Sequence, residues 1–411
     1  MTGMLAGLAG SLFRMALTKA DALRTALVEW SRAAPAWGWA IPVGGAALGA
    51  AFARLLVLRF AEDASGSGVP QVEGIVRVGG PFHSRFVLPV KFLGGLSAIG
   101  SGLALGREGP TVQMGSAAAE WIGRLLRMSP AEARVLSAAG AGAGLATAFG
   151  APLGGAVFVL EELAQRFHIR VAMASFAASG IAIAVLYRLL GTTPELAMPQ
   201  LSAPSPWDLL VDVLFGVLLG LLGIAYNRLV LASLDAHQRL ARIPPILRAA
   251  VIGAAVGLVA WFVPDLVGGG EELLRRVLHE GIATSALVFA LAVRFVLGPV
   301  SYSAGTPGGL FAPLLLVGAI AGQLFGCAVH GFVPGAAPDP TDFAVVGMAA
   351  FFAATVRAPI TGAALIVEMT GVTSLFVPML AAISAALLVT TLLRNEPIYD
   401  ALRKRQPGRG P

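Results

Sequence analysis

Five short segments of the 411-residue chain carry side chains able to do ionic chemistry in otherwise apolar surroundings. In Asp63-Ala64-Ser65-Gly66-Ser67-Gly68-Val69-Pro70, a polar, glycine-rich break ends in a proline suited to the first turn of a helix. Helix starts attract anions, because free N–H groups and the helix dipole supply partial positive charge that holds an anion yet lets it go. Ser67 adds a hydroxyl donor; taken alone, the segment reads equally well as a serine-capped turn. Glu108, in Leu103-Ala-Leu-Gly-Arg-Glu-Gly-Pro-Thr111, also sits at an apparent helix start. A carboxylate at membrane depth costs at least about 3 kcal/mol and is usually there for function. When ionised it mimics an anion at a helix start, and when protonated it leaves, which is a physical basis for coupling anion and proton movements. The plainer reading pairs Glu108 with Arg107 at a boundary.

Gly308-Gly309-Leu310-Phe311-Ala312-Pro313 lets backbone N–H groups approach a ligand, with the amides of Leu310 and Phe311 as anion donors. As a bare segment it is equally a helix-packing break. Glu161-Glu162 ends a long apolar run before Gln165, Arg166, His168 and Arg170, where a solvated helix end is the default. Tyr399 follows the last apolar run, as an interface anchor or a ligand donor.

The elements that position these groups repeat. Gly106-Arg-Glu-Gly-Pro110 with Gly115 and Gly123 recurs 203 residues later as Gly309-Leu-Phe-Ala-Pro313 with Gly318 and Gly326. Val90-Lys91-Phe92 matches Val293-Arg294-Phe295 at the same offset. Gly66-Ser67-Gly68 pairs with Gly268-Gly269-Gly270, and the run from Ala148 to Glu161 aligns with Thr355 to Glu368. Glu161 thus has Glu368 as its twin, whereas Glu162 falls opposite Met369. Paired, interrupted segments at matching places in two repeats point to a midplane site built from broken-helix ends.

Composition puts these repeats in lipid. Hydrophobic residues make up 56% of the chain, charged ones 13%, and mean hydropathy is +0.79. Apolar stretches recur from about 36 to 393, and 51 glycines with 26 prolines predict short, tilted and broken helices. The net charge of +6 does not indicate nucleic acid, because the basic residues sit between apolar runs. Arg14, Lys19, Arg24 and Arg32 form one group, Arg239, Arg242 and Arg248 a second, and Arg403, Lys404, Arg405 and Arg409 a third; all three are expected in the cytoplasm. The run from Met4 to Leu17 lacks the marks of a signal peptide and is expected to lie along the membrane. The organisation expected is one domain: an N-terminal cytoplasmic or interfacial helix over 1–35, a first transmembrane repeat over 36–190, a linker over 191–205, a second repeat over 206–395 and a basic tail over 396–411. Cys327 alone excludes an intrachain disulfide and a multi-cysteine metal site. The five scattered histidines, with no His-Glu-x-x-His and no phosphate-loop motif, give no sign of an enzyme, a cofactor or a metal centre.

Together the segments resemble the CLC chloride channel and transporter family, whose signatures GSGIP, GREGP and GGxFAP occur here in order, with Val69 for isoleucine in the first. The resemblance runs from about residue 40 to 402. It implies an all-α membrane fold of two inverted structural repeats, and a multi-pass homodimer in the bacterial inner membrane with both termini cytoplasmic. It also implies a central chloride held by the hydroxyls of Ser67 and Tyr399 and the amides of Leu310 and Phe311. Glu108 resembles the external gating glutamate, with the amides of Arg107, Glu108 and Gly109 lining an outer anion position. Glu162 resembles the internal proton-transfer glutamate of the exchangers. The serine of the first signature favours chloride over nitrate or fluoride. Retention of both glutamates favours proton/chloride exchange, with a passive channel of the same fold, or a permease for an organic anion, as alternatives. No cytoplasmic CBS pair is expected, since the chain stops soon after Tyr399.

Overall fold

The structure, a computed structural model, describes residues 1–33, 36–194, 196–199, 208–332 and 339–405. Residues 195 and 200–205 of the linker expected over 191–205, and Arg409 of the tail, lie outside the described residues. In chain order the helices are α1 (Thr2–Ser31), α2 (Ala40–Phe60), α3 (Val69–Arg77), α4 (Val87–Gly100), α5 (Glu108–Leu125), α6 (Pro130–Phe149), α7 (Pro152–Phe158) and α8 (Ile169–Leu190). Then follow α9 (Asp208–Arg239), α10 (Pro245–Phe262), α11 (Glu271–His279), α12 (Thr284–Ser303), α13 (Phe311–Phe332), α14 (Pro340–Val356), α15 (Pro359–Thr370), α16 (Phe376–Leu392) and α17 (Ile398–Lys404). Among the described residues six helices, α2, α8, α9, α10, α12 and α13, are long and apolar enough to cross a membrane. Others are as short as seven residues.

The repeat seen in the sequence is a repeat of packing. Helices α5 and α6 cross where a Cβ on Gly115 would strike the Gly140 carbonyl, and α13 and α14 cross in the same way at Gly318 and Gly347. Without lipid-phase hydrophobic attraction between helices, such backbone-to-backbone approach supplies the dispersion contacts that hold them. At the other side of each half, Gly3 and Gly7 of α1 abut Ala178 and Ala182 of α8, while Gly216 and Gly220 of α9 abut Ala382 and Ala386 of α16. Eight helices thus form one half, eight the other, and α17 stands after both.

Two expectations change. The N-terminal helix is not a surface element apart from the first repeat: α1 packs lengthwise on α8, α6 and α4 through Gly3, Gly7, Gly10 and Phe13. The first half therefore begins at α1 rather than near residue 36. Its Arg14, Lys19, Asp21 and Arg24 break the apolar pattern by which a span is recognised. Nor do the three basic groups share one side. Arg32 donates to the Trp261 carbonyl at the end of α10 (2.9 Å), whereas Arg248 is in the first turn of α10 and donates to the His237 carbonyl of α9 (2.5 Å). Trp261 is 13 residues beyond Arg248, so at about 1.5 Å per residue the two arginines are roughly 20 Å apart along the axis, towards opposite ends of a helix long enough to span. Arg405 pairs with Asp235 of α9 (2.6 Å), so the tail and the α9–α10 connection do lie together.

Candidate functional site

Three loops between helices meet in the middle of the fold. The amide of Gly66 donates to the Thr306 carbonyl (3.1 Å) and that of Gly308 to the Gly66 carbonyl (3.0 Å), while Gly106 and Gly309 exchange two bonds of 2.8 Å each. Gly66 and Gly68 hold φ of 65° and 89°, left-handed values that glycine adopts without strain. Two buried cations fix the loop carbonyls. Lys91 Nζ donates to Ala64 (3.1 Å) and Gly66 (2.7 Å). Its repeat counterpart Arg294 donates to Leu266 (3.3 Å), Gly268 (2.8 Å) and Gly269 (3.0 Å). A buried cation needs such partners, and irregular backbone at this depth needs its carbonyls satisfied, so each solves the other's problem.

Glu108 opens α5 and is fully buried. Its Oε2 accepts the amide of Ala312 in the first turn of α13 (3.3 Å), and its Oε1 has no hydrogen-bond partner among the described residues. One carboxylate therefore bridges the N-termini of two helices from opposite halves, where free amides favour negative charge. Arg107 is tied elsewhere: its Nε donates to the Ala148 carbonyl (3.2 Å), and a terminal nitrogen stands 3.4 Å from Glu271, across the halves. Gly109 lies so close to Ser67 that a Cβ there would strike it.

Ser67 and Tyr399 are both buried, with their hydroxyls near enough to interact, and among the described residues the phenol oxygen makes no well-aligned hydrogen bond. The Ser67 amide donates to the Tyr302 hydroxyl (3.4 Å). Leu310 and Phe311 are buried at the start of α13. The Phe311 ring packs on Phe352 (4.4 Å between centroids), Phe149 and Phe158 (5.7 Å each) and Tyr399 (6.5 Å), an apolar wall beside the amides and hydroxyls. Two hydroxyls and two amides at the start of α13 suit a small, weakly hydrated anion.

Glu162 is buried in a π-helical turn, Val159–Leu163, that follows α7. Arg77 of α3 holds that turn by donating to the carbonyls of Glu162 (2.8 Å) and Leu163 (3.1 Å). Glu161, expected as a solvated end, instead accepts the amides of Ile360 (3.0 Å) and Thr361 (2.7 Å), at the start of α15. Its twin Glu368 accepts the amides of Leu153 (2.9 Å) and Gly154 (2.6 Å), at the start of α7. Each half thus caps the short helix of the other, and Glu162 takes no part in that exchange.

The family model for voltage gated chloride channels matches residues 49–391. The chain belongs to the CLC family. It is 37% identical to the H(+)/Cl(−) exchange transporter ClcA of Vibrio parahaemolyticus, over 98% of this chain and 88% of the relative. A slow cyanobacterial Cl−/H+ antiporter of known crystal structure superposes with a TM-score of 0.93 at 30% identity, covering 98% of this chain and 96% of that one. A eukaryotic CLC transporter gives a TM-score of 0.81 at 25% identity, covering 98% and 72%. The architecture is accordingly the CLC fold of two inverted structural repeats, in a multi-pass membrane protein.

In this CLC chain Ser67, Leu310, Phe311 and Tyr399 form one cluster, with Arg107, Glu108 and Gly109 directly beside it. Glu162 lies outside that cluster, in the π-helical turn that Arg77 holds. Sequence reading passed over three members of these surroundings. Glu73, fully buried in α3, is 2.7 Å from Arg77 and 3.1 Å from Arg403; its spacing of four from Arg77 was the available signal. Tyr302, and Glu271 opposite Arg107, give no local signal, because their partners are 235 and 164 residues away.

Proposed function

We propose that the chain exchanges chloride for protons across the bacterial inner membrane, as a homodimer with both termini and the α9–α10 connection on the cytoplasmic side. The observation that carries this reading is the buried carboxylate of Glu108, with one oxygen on the Ala312 amide and the other unpartnered among the described residues. Ionised, it occupies the anion donors that Arg107, Glu108 and Gly109 offer from their backbone. Protonated, it loses the charge that holds it there, and an anion takes its place. Chloride entering from the other side is held by Ser67, Tyr399 and the amides of Leu310 and Phe311. Glu162, buried near Arg77, passes protons between the cytoplasm and Glu108. One gate that accepts either a proton or an anion ties the two flows together, and no chemical conversion is involved.

The names of the curated relatives and of the cyanobacterial structure support exchange over a passive channel. The direction of α1, parallel to α8 and starting towards the Glu162 end, supports a cytoplasmic N-terminus beside the cytoplasmic tail. The test is purified protein in liposomes with an outward chloride gradient and a pH electrode in weakly buffered external solution. Exchange drives protons inward as chloride leaves, and Glu108→Gln stops proton uptake while chloride efflux persists. Efflux with no proton movement in the parent protein would make the chain a channel.

A further inference from the structure

At the end of the fold that carries Glu162, a cavity of about 640 Å³ opens between α3, the start of α6 and the start of α8. Its size falls in the range of about 300–1,000 Å³ usual for small-molecule sites. Its polar lining comes from Arg77, Arg134, Gln165, Arg166, His168 and Arg170, and no acidic side chain is among the described lining residues. Arg134, Arg166 and Arg170 are exposed and form no ion pair among the described residues, unlike Arg77, which is paired with Glu73. Glu132, which acts electrostatically on Arg170, is engaged in the capping box of α6, accepting from the Ser129 amide (2.9 Å) and hydroxyl (2.6 Å).

The position of this cluster says which anion fits. Helix α8 is of membrane-crossing length, and Arg166, His168 and Arg170 stand at its first turn, interleaved with exposed Phe167 and Ile169 and followed one turn later by exposed Met173. Apolar side chains facing outward beside unpaired guanidinium groups mark the boundary between hydrocarbon and lipid phosphates. Guanidinium groups bind phosphate oxygens in pairs, and clustered arginines at such a boundary gain from anionic rather than zwitterionic lipid.

We propose that this cavity is a binding site for the phosphate headgroup of an anionic phospholipid, its acyl chains lying along Phe167, Ile169 and Met173. A headgroup seated there touches the same Arg77 that holds the Glu162 turn. The proposal stands independently of whether the chain exchanges protons or conducts passively.

The experiment is native mass spectrometry of the full chain in detergent, titrated in parallel with phosphatidylglycerol, phosphatidylcholine and inorganic phosphate. The parent protein is expected to retain phosphatidylglycerol and not phosphatidylcholine. Affinity should fall about fivefold for each of Arg166→Ala and Arg170→Ala and about twenty-five-fold for both, with only part of it restored in the double lysine variant, which keeps the charge but not the paired donors. Arg134→Ala, on a different helix, provides a separate reading should the double variant fail to fold. Equal retention of phosphatidylglycerol by the parent and the alanine variants would overturn the proposal. Equal retention of phosphatidylcholine, or displacement of the lipid by millimolar phosphate, would overturn it as well; the latter would assign the site to a soluble phosphate.

Discussion

The two halves of this chain build the same scaffold and put different chemistry on it. Lys91 and Arg294 each bind the carbonyls of a glycine-rich loop, and Glu161 and Glu368 each cap a short helix of the opposite half. The halves differ at the residues to which the proposed function assigns the transport. The first loop offers Ser67 where the second has Gly269. Glu108 faces the place of Phe311, and Glu162 that of Met369. Tyr399 lies on α17, which belongs to neither half. Symmetry in this fold marks support, and on the function proposed above its breaking marks the transport path.

That contrast breaks or sharpens under mutation. The largest effect is expected from Glu162→Gln, a position with no twin. Proton movement in the liposome assay should drop by more than about tenfold while chloride flux continues, since a carboxylate that relays protons is lost and no cap goes with it. Unchanged coupling would return Glu162 to a structural role. Next come Lys91→Met and Arg294→Met. Each strands loop carbonyls at membrane depth, and each should cost about 3–5 kcal/mol, read as loss of folded protein in thermal unfolding in detergent. A severe effect for one and none for the other would deny their equivalence.

Smaller and equal losses, about 1.5–3 kcal/mol each, are expected for Glu161→Ala and Glu368→Ala, because each removes two charge-assisted bonds to backbone amides. The smallest effect on stability belongs to Tyr399→Phe. Among the described residues the phenol oxygen makes no well-aligned hydrogen bond, so thermal stability should stay within about 0.5 kcal/mol, whereas chloride affinity measured by calorimetry should fall several-fold. A large loss of stability instead would mean that the hydroxyl serves the fold.

Much of this was legible in the sequence because the repeat is carried by residues whose types are informative. A basic residue inside an apolar run, or a glycine at a fixed distance from a glutamate, has few reasons to recur at one offset. The same comparison separated Glu162 from Glu161, although the capping duty of Glu161 was hidden: its partners Ile360 and Thr361 lie about 200 residues on. Helix α1 was misjudged since four charged side chains between Arg14 and Arg24 mask a packed helix. The sidedness of the first basic group followed it into error, because counting arginines between apolar runs presumes that every run has been recognised. Contacts such as Arg107 with Glu271, and the aromatic wall around Phe311, arise from the way the halves interlock and leave no periodic trace.

The reciprocal caps carry one more consequence. Because α7 receives its carboxylate from Glu368 and α15 from Glu161, neither half closes its own short helix. The chain behaves as two interdependent fragments written in one reading frame. Cut between residues 199 and 208, the first piece would keep eight helices and the second nine, and each would still need the other to finish folding, so the two would have to be made together to give detergent-stable protein.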